Sequence, residues 1–587
     1  MRTVTVAGGQ GFYGDTPTAV DALLAEGVDY LCLEALAELT LAILQKDRQR
    51  DEARGYTRDL PAYLARALPF VAEGRTRIVT NAGGINPAAA ARAAIETARS
   101  MGITGITVAT VLGDDVLARI DALRQSGNDL AHLDTGEPFD AMPAPPLFAS
   151  AYLGARPIAD ALAQGADVVI TGRVADASLF LGPLAHEHGW EWDDWDRLAA
   201  GILVGHLLEC SGQSLGGNYS GDWWAVPRPW DLPYPIARVG ADGTAVITKP
   251  KASGGRVTTD TLRHQLLYEV HDPERYVSPD VVADFTSARF EDRPGDEVVV
   301  SDVRGRPATD TYKLLLAHHA GWAGEARVAF SWPDAYEKAK ATAAILAKRV
   351  AMAGHEVDEW CVEFWGRERA RRPDRARGRG RTLRAAGVRA EDGVALRGPA
   401  HGRARGARAR PAHALRAARR DDGRGPGRGR WGHGAARHLA GARPQGGRRR
   451  ARARRARGGQ VRLPLRELCG YRAGDKGDVA NVAIFADDDE TYELLRREVT
   501  AERVKEHFGG MVAGRVDRYE ARNVRALNFV LHGALGGGGP RSLRSDNLGK
   551  TLGGALVRLE IEVPDSFASR RRARPDVRWA DEILRSL

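Results

Sequence analysis

The chain has 587 residues, enough for about two to four domains with substantial hydrophobic cores. Its four cysteines lie far apart and form no CxxC pair, so we predict neither a zinc cage nor a disulfide framework. The N-terminus lacks the apolar region of a signal peptide, and no apolar run has the length of a membrane span. We therefore expect a cytoplasmic protein with no membrane partner.

The net charge of +9 originates in one segment. Residues 366–460 contain 30 Arg, no Lys and 6 acidic residues, a local charge of +24 that leaves −15 on the rest of the chain. A basic chain often binds nucleic acid, but an acidic body does not indicate such a partner. We therefore predict no nucleic-acid partner.

The segment 366–460 also interrupts every structural pattern. It consists mostly of Arg, Ala, Gly and Pro and lacks Ile, Phe, Tyr and Met, so it cannot bury a core and is predicted to be disordered. The residues that it lacks mostly have AT-rich codons, and those that it contains have GC-rich codons. Our hypothesis is a frameshift in a GC-rich gene, which resequencing would test; a genuine linker and an RNA-binding segment are the alternatives.

Strands and helices alternate over the first 171 residues, which predicts an α/β fold with a parallel sheet flanked by helices. We assign the body to residues 1–365, including a long ordered loop over 211–234. The predicted strands of the alternating region are 3–6, 30–34, 77–80, 103–110 and 167–171. Its predicted helices are 17–26, 36–51, 59–72, 87–99, 113–124 and 157–164.

Regular patterning resumes after the Arg-rich segment. Residues 461–565 predict a compact α+β domain, followed by a tail over 566–587. In this domain we predict strands at 465–470 and 479–485, with a loop at 471–477 between them.

The first strand ends in a glycine-rich loop. Gly9, Gly11 and Gly14 match GxGxxG, and Glu34 follows 20 residues later, as in a dinucleotide fingerprint. The helix begins only near Pro17, however, with Asp15 or Thr16 as its cap, and two aromatic residues would crowd a pyrophosphate. Free N–H groups near a helix N-terminus favour a carboxylate or phosphate ligand. A tight turn without a ligand is the alternative.

A second loop repeats this arrangement. Asn81, Gly83, Gly84 and Asn86 follow the third strand and precede a helix that begins with proline. Because the carboxyl ends of parallel strands share one edge of a sheet, the two loops are predicted to face one pocket. One loop would bind a phosphate and the other a carboxylate or thioester oxygen; turn chemistry is again the alternative.

Two further clusters carry candidate catalytic residues. Arg173 is suited to binding a carboxylate, and Asp176 to acting as a general base or a helix cap. His206, Glu209 and Cys210 lie one helical turn apart and form a candidate Cys–His nucleophile or a single metal site. Packing without chemistry is the alternative for this cluster.

The C-terminal domain contains a third charged loop. Asp475, Lys476 and Asp478 surround a glycine, so that the lysine could bind an anion or the two carboxylates a cation. A salt-linked turn is the alternative.

Together these motifs resemble the acyclic terpene utilisation protein (AtuA) family. The resemblance covers roughly residues 1–365 and 463–563 and implies a large α/β body followed by a small ferredoxin-like domain. It also implies a role in bacterial catabolism of citronellol- and geraniol-type terpenes, in pathways of acyl-CoA esters, but no particular reaction. It rests on AGGQGFYGD, TNAGGINP, GADVVITGRVADAS, GHLLECSGQ, GGNYSGDW and LCGYRAGDKGDVANVAI.

The leading hypothesis is an enzyme, or enzyme subunit, that acts on an acyl-CoA or carboxylate of terpenoid or branched-chain catabolism. The sequence assigns no cofactor, which suits a lyase or hydratase. The alternatives are a non-catalytic partner that binds acyl-CoA or joins a carboxylase complex, and an NAD(P)-dependent dehydrogenase. We also expect a homo-oligomer.

Overall fold

The computed structural model describes residues 3–330, 334–365, 393–400, 460–567, 572–573 and 575–586. It confirms the predicted fold class, because a large α/β body is followed by a small domain with antiparallel sheets. None of the described helices has the length and apolar character needed to cross a membrane.

Aliphatic and β-branched runs form the strands of the body, because such side chains fit a pleated, buried surface. The body strands are β1 (Thr3–Gln10), β2 (Tyr30–Leu33), β3 (Arg77–Thr80), β4 (Val108–Val111), β5 (Pro146–Ala151), β6 (Val168–Thr171), β7 (Ile236–Gly240), β8 (Ala245–Thr248), β9 (Tyr276–Val277), β10 (Val282–Asp284), β11 (Arg289–Arg293), β12 (Glu297–Ser301), β13 (Arg304–Arg306), β14 (Leu314–His318), β15 (Trp322–Val328), β16 (Cys361–Trp365) and β17 (Gly393–Ala400).

Several helices of the body begin at capping residues that the sequence displays. Asn86 and Asp194 accept hydrogen bonds from backbone N–H groups in the first turn of their helices. The body helices are α1 (Val20–Glu26), α2 (Glu38–Arg50), α3 (Leu60–Ala72), α4 (Pro87–Ser100), α5 (Ile120–Gln125), α6 (Arg156–Ala163), α7 (Ser178–His188), α8 (Trp195–Leu208), α9 (Thr259–Leu266) and α10 (Ala335–Met352).

The central sheet has nine strands in the order β11-β12-β8-β7-β1-β2-β3-β6-β4. The strands β1, β2, β3, β6 and β4 pair in parallel, and β7, β8, β12 and β11 continue the sheet in antiparallel pairing. Ligands in open α/β sheets bind outside the carboxyl ends of the parallel strands. Here that edge carries Gly11, Glu34 and Arg173, which follow β1, β2 and β6.

Helices cover both faces of the parallel strands. One face packs against α1, α3 and α4 through side chains such as Leu23 and Tyr63. The other face packs against α6, α7 and α8 through side chains such as Phe180 and Ile202. Because both faces are covered, these strands are mostly apolar instead of alternating between apolar and polar residues.

The C-terminal domain is built on a four-stranded antiparallel sheet in the order β19-β20-β22-β21. Two further strands, β18 and β23, form a separate antiparallel pair in this domain. Its strands are β18 (Gln460–Pro464), β19 (Cys469–Lys476), β20 (Val479–Ala486), β21 (Val516–Ala521), β22 (Ala526–Leu531) and β23 (Glu560–Pro564). Its helices, together with the helix that follows it, are α11 (Asp489–Glu498), α12 (Ala501–Phe508), α13 (Leu552–Leu556) and α14 (Arg578–Ser586).

The loop predicted at 471–477 is wrong, because β19 extends through Lys476 and pairs with β20 along its whole length. Glycine and aspartate are rare in strands, which is why the sequence indicated a loop. Pairing with the buried strand β20 outweighs that preference. Only Gly477 and Asp478 form the turn between the two strands, and residues 465–467, predicted as strand, form a 3-10 turn.

The two domains pack closely against each other. Asn481 and Asn528, both buried in the C-terminal sheet, donate to the main-chain oxygens of Leu267 (2.7 Å) and of Val270 (2.8 Å). The Oδ1 atom of Asn481 accepts from the N–H of Glu269 at 3.1 Å. Glu269 has a φ of 59°, which is uncommon for a residue other than glycine. These asparagines therefore fix the segment that carries Glu269 into the interface.

Most of the Arg-rich segment lies outside the described residues. Of residues 366–460, the structure describes the backbone of 393–400, which forms β17 between β15 and β16, and residue 460. This short strand does not decide the nature of the segment. The predicted domain boundaries, the disorder and the frameshift therefore stay predictions.

Candidate functional site

A cleft of about 4150 Å³ lies between the body and the C-terminal domain, at the carboxyl ends of the parallel strands. All five predicted catalytic residues line it, together with five of the predicted ligand-binding residues. These are Arg173, Asp176, His206, Glu209 and Cys210, and Gly11, Asp15, Asp475, Lys476 and Asp478.

Glu34 is a buried carboxyl group at the end of β2. Its Oε1 atom accepts hydrogen bonds from Asn81 Nδ2 (3.0 Å) and from the N–H of Leu36 (2.7 Å). Burial raises the pKa of Glu34 well above its ordinary value, and the Asp176 carboxylate adds to the rise. A carboxyl group whose pKa is raised in this way is suited to exchanging a proton with a substrate.

Arg173 is almost completely buried after β6, with 1% of its surface exposed. Its guanidinium donates to the main-chain oxygen of Leu36 and to the Asp176 carboxylate, and lies 4.3 Å from the ring centre of Tyr152. Burial alone would lower the pKa of Arg173, but Asp176 and the other carboxylates around it raise the pKa above its ordinary value. Arg173 therefore positions Asp176, and its Nε atom has no hydrogen-bond partner among the described residues.

A second acidic group stands at the N-terminus of α2. Glu38 accepts hydrogen bonds from the Tyr152 hydroxyl (2.9 Å) and from Lys313 Nζ (3.0 Å). Burial opposes the charge on Glu38, but the cations Lys476 and Lys313 outweigh it and hold the pKa well below its ordinary value. Glu38 is therefore a fixed negative charge, in contrast to Glu34.

His206 and Glu209 form a buried pair at the end of α8. The Nε2 atom of His206 lies 3.0 Å from the main-chain oxygen of Gln265, so this nitrogen carries a proton. Its Nδ1 atom lies 3.3 Å from Glu209 Oε1. Burial raises the pKa of Glu209, although the hydrogen bond to His206 opposes the rise.

Cys210 follows this pair, with its Sγ atom 3.9 Å from Glu209 Oε1. Burial, together with the negative charge of Glu209, raises the pKa of the thiol well above its ordinary value. A nucleophilic thiolate needs the opposite environment.

The C-terminal domain contributes two lysines to the cleft. Lys476, at the end of β19 and 36% exposed, donates to Glu269 at 2.6 Å. Lys550 lies 2.9 Å from the same carboxylate and 2.7 Å from Asp475. Burial alone would lower the pKa of Lys476, but Glu269, Glu38 and Asp176 raise it well above its ordinary value. The lysines lower the pKa of Glu269 to about 2, against the effect of burial.

Asp478 stabilises the turn that follows Lys476. Its Oδ1 atom accepts from the N–H groups of Leu535 (3.0 Å) and Gly537 (2.9 Å). The carboxylate is thus engaged within its own domain.

The first glycine loop is bound by carboxylates of the chain itself. The N–H of Gly11 donates to Asp15 Oδ2 at 3.1 Å, and that of Gly14 donates to Asp59 Oδ2 at 2.8 Å. A Cβ atom on Gly9 would lie 2.6 Å from a side-chain carbon of Leu31, so this glycine permits close packing between neighbouring strands. These N–H groups are engaged. The predicted helix begins as a 3-10 turn at Pro17–Ala19, without the predicted side-chain cap, and continues as α1.

The second loop packs against the rest of the body. Asn86 caps α4 and also donates to the main-chain oxygen of Arg54 at 2.7 Å. A Cβ atom on Gly83 would lie 2.4 Å from the main-chain oxygen of Thr171, and one on Gly84 would meet Leu44 at 2.3 Å. Among the described residues, the cleft lining omits Gly9, Gly14, Asn81, Gly83, Gly84 and Asn86. Their role in ligand binding stays a prediction.

Sequence reasoning missed four charged residues and one tyrosine of the cleft. Glu38, Tyr152, Glu269, Lys313 and Lys550 stand at isolated positions, and none belongs to a recognisable motif. Glu34 was considered only as a ribose ligand. Its raised pKa depends on burial beside Asp176, which no spacing along the chain displays.

The fold and the site define a two-domain α/β protein with a charged cleft between its domains. Residues 4–397 match the family described as "Acyclic terpene utilisation family protein AtuA", and residues 463–562 match the "AtuA ferredoxin-like domain". The chain therefore belongs to the AtuA family, which confirms the resemblance. No curated protein and no solved structure matched the chain.

Proposed function

We propose that this AtuA-family protein is an enzyme that moves a proton on a carboxylate or acyl-CoA substrate of terpenoid or branched-chain catabolism, as a lyase or hydratase does. The observation that carries the proposal is that carboxyl groups with raised pKa values and a cationic lysine line the same cleft. The carboxyl groups of Glu34 and Glu209 have raised pKa values, and they share the cleft with the cationic Lys476. Such groups are typical of acid–base catalysis.

In this proposal Glu34 transfers the proton. One of its oxygens is held by two hydrogen-bond donors, so the carboxyl group is fixed in position. Lys476 binds the substrate carboxylate or thioester oxygen, since an ammonium group has three donors and Glu269 is its one hydrogen-bond partner among the described residues. His206 and Glu209 supply a second site for a proton.

The geometry favours this proposal over the two alternatives. A binding partner without catalysis needs no convergence of carboxyl groups with raised pKa values. A dehydrogenase of the dinucleotide-fingerprint type needs a free acidic group for the ribose, yet Glu34 is engaged by Asn81 and Leu36. It also needs open space at the glycines, and Leu31 and Leu33 occupy the space above Gly9.

The proposal is tested by thermal-shift measurements on the full chain with acyl-CoA esters, free branched carboxylic acids, nucleotides and divalent metals. Lys476→Met removes the proposed ligand-binding cation and should weaken binding of the acid or ester at least about tenfold. Lys348→Met, on the exposed face of α10, is the matched control. Absence of stabilisation by every acid and ester, or equal binding by the Lys476→Met variant, would contradict the proposal.

A further inference from the structure

A second pocket of about 640 Å³ adjoins the cleft. It lies between the loop around Trp223 and the strand β19, where the body meets the C-terminal domain. Asn218, Tyr268 and Lys550 line both cavities. An elongated ligand can therefore occupy the two at once.

The second pocket contains an arginine whose charge is not neutralised by an ion pair. Arg472 donates to the main-chain oxygen of Asn218 at 2.8 Å and to the side-chain oxygen of Gln213, and it lies 4.2 Å from the ring centre of Tyr268. All three partners are neutral, and among the described residues no carboxylate forms an ion pair with Arg472. Burial lowers the pKa of Arg472, as expected for a cation without a counter-ion.

Two further arginines add positive charge to the same pocket. Arg466 is 66% exposed, and its closest carboxylate, Glu467, lies 3.8 Å away. Arg572 lies 3.3 Å from Asp487. Three guanidinium groups around one cavity favour a ligand with several negative charges, because arginine binds phosphate through paired donors.

Aromatic side chains also line this pocket. Trp223 is 42% exposed, although a large apolar side chain is usually buried, and its ring lies 5.8 Å from that of Trp224 in an edge-to-face arrangement. Tyr471, beside Arg472 on β19, is a third aromatic residue of the lining. An exposed indole beside arginines is suited to stacking on a planar base whose phosphates bind the arginines.

We propose that the second pocket binds the adenine nucleotide of a coenzyme A thioester, while the acyl group reaches the cleft. The inference rests on the proposed function and narrows its substrate from carboxylates in general to acyl-CoA. Phosphates bind Arg472 and its neighbouring arginines, and adenine stacks on Trp223. The pantetheine arm lies along Tyr268 and Lys550, which line both cavities.

Calorimetric titration of the full chain with 3′-phosphoadenosine 5′-diphosphate, which is the nucleotide part of coenzyme A, tests the proposal. The nucleotide should bind, and binding should weaken as salt is added because the contacts are ionic. Trp223→Ala and Arg472→Gln should each weaken binding by about tenfold. Arg466→Gln is a second variant that removes a positive charge from the pocket. Because Arg466 is exposed, this substitution does not disturb the packing around Arg472.

The matched control is Trp230→Ala, which removes an indole that is 61% exposed and lies outside both cavities. This variant should bind the nucleotide as the unaltered chain does. Trp223→Ala should also leave the binding of a free branched carboxylic acid unchanged, because that ligand occupies the cleft alone.

The outcomes separate the inference from the proposed function. If a carboxylic acid or a pantetheine thioester binds but the nucleotide does not, the inference is wrong and the proposed function stands. Nucleotide binding that is equally strong in the Trp223, Arg472 and Arg466 variants would also overturn the inference. If no acid or thioester binds at all, the proposed function itself fails.

Discussion

Single carboxyl groups in this protein differ widely in how tightly they hold a proton. Glu34 and Asp114 are both buried at the strand ends and have raised pKa values. Glu38 and Glu269 lie beside lysines and have lowered ones. The same residue type thus serves as a proton carrier in one place and as a fixed charge in another.

Asp114 provides a measurable case, because burial raises its pKa to about 6. A raised pKa means that the folded chain binds the proton more tightly than the unfolded chain. The resulting stability is complete below the ordinary pKa of about 4 and is lost as the pH rises to about 6. The free energy of unfolding, relative to that of Asp114→Asn, should therefore fall by about 3 kcal/mol across this window and stay level above it.

Denaturant unfolding between pH 4 and pH 8 measures this difference. Asp121→Asn, at an exposed position on α5, is the control for the substitution itself. A pH-independent difference for Asp114→Asn would contradict the assignment.

At the scale of elements, a strand was predicted correctly where most of its residues are of a type that favours strands. The strand β3 was predicted with the bounds that the structure has, because its β-branched residues favour a buried strand. The strand β19 was missed because its Gly and Asp residues are unfavourable in strands, and only its pairing with β20 keeps it extended.

The site was predictable only in part, for a related reason. The five predicted catalytic residues do line one cleft, since strand ends of a parallel sheet meet at one edge. The ion pair of Lys476 with Glu269 joins residues 207 positions apart. Neither local pattern nor periodicity contains such a contact, which depends on how the two domains pack.

The turn that ends β19 offers a test at this scale. Gly477 has a φ of 63°, and a Cβ atom there would lie 2.1 Å from Asp134 Oδ2. Gly477→Ala should cost about 1–2 kcal/mol of stability, because the left-handed conformation disfavours alanine. It should also weaken ligand binding, because the turn positions Lys476.

Thermal unfolding and ligand titration of the Gly477→Ala variant check both effects. Gly510→Ala is the control in the same domain, since a Cβ atom there meets nothing within 4 Å. Unchanged stability and binding in Gly477→Ala would show that the turn does not position the lysine.

At the scale of the whole molecule, two asparagines connect the domains. Asn528 donates to the main-chain oxygens of Val270 (2.8 Å) and His271 (2.7 Å) from a fully buried position. Asn528→Leu would leave both oxygens without this donor. We expect a loss of about 2–4 kcal/mol in the free energy of unfolding.

Urea unfolding followed by fluorescence measures that loss. The exposed Asn128, substituted by leucine in the same way, should change stability by less than about 0.5 kcal/mol. Equal midpoints for the two variants would contradict the role of Asn528 in joining the domains.

The position of Lys476 has a consequence for how the protein is made. Glu38, Asp176 and Glu269 are synthesised first, and Lys476, whose pKa all three carboxylates raise, follows on the far side of the segment 366–460. A polypeptide that terminates within that segment would carry the carboxylates of the cleft without this cation. On the ribosome, too, the charge balance of the cleft is reached only after the C-terminal domain has emerged and docked.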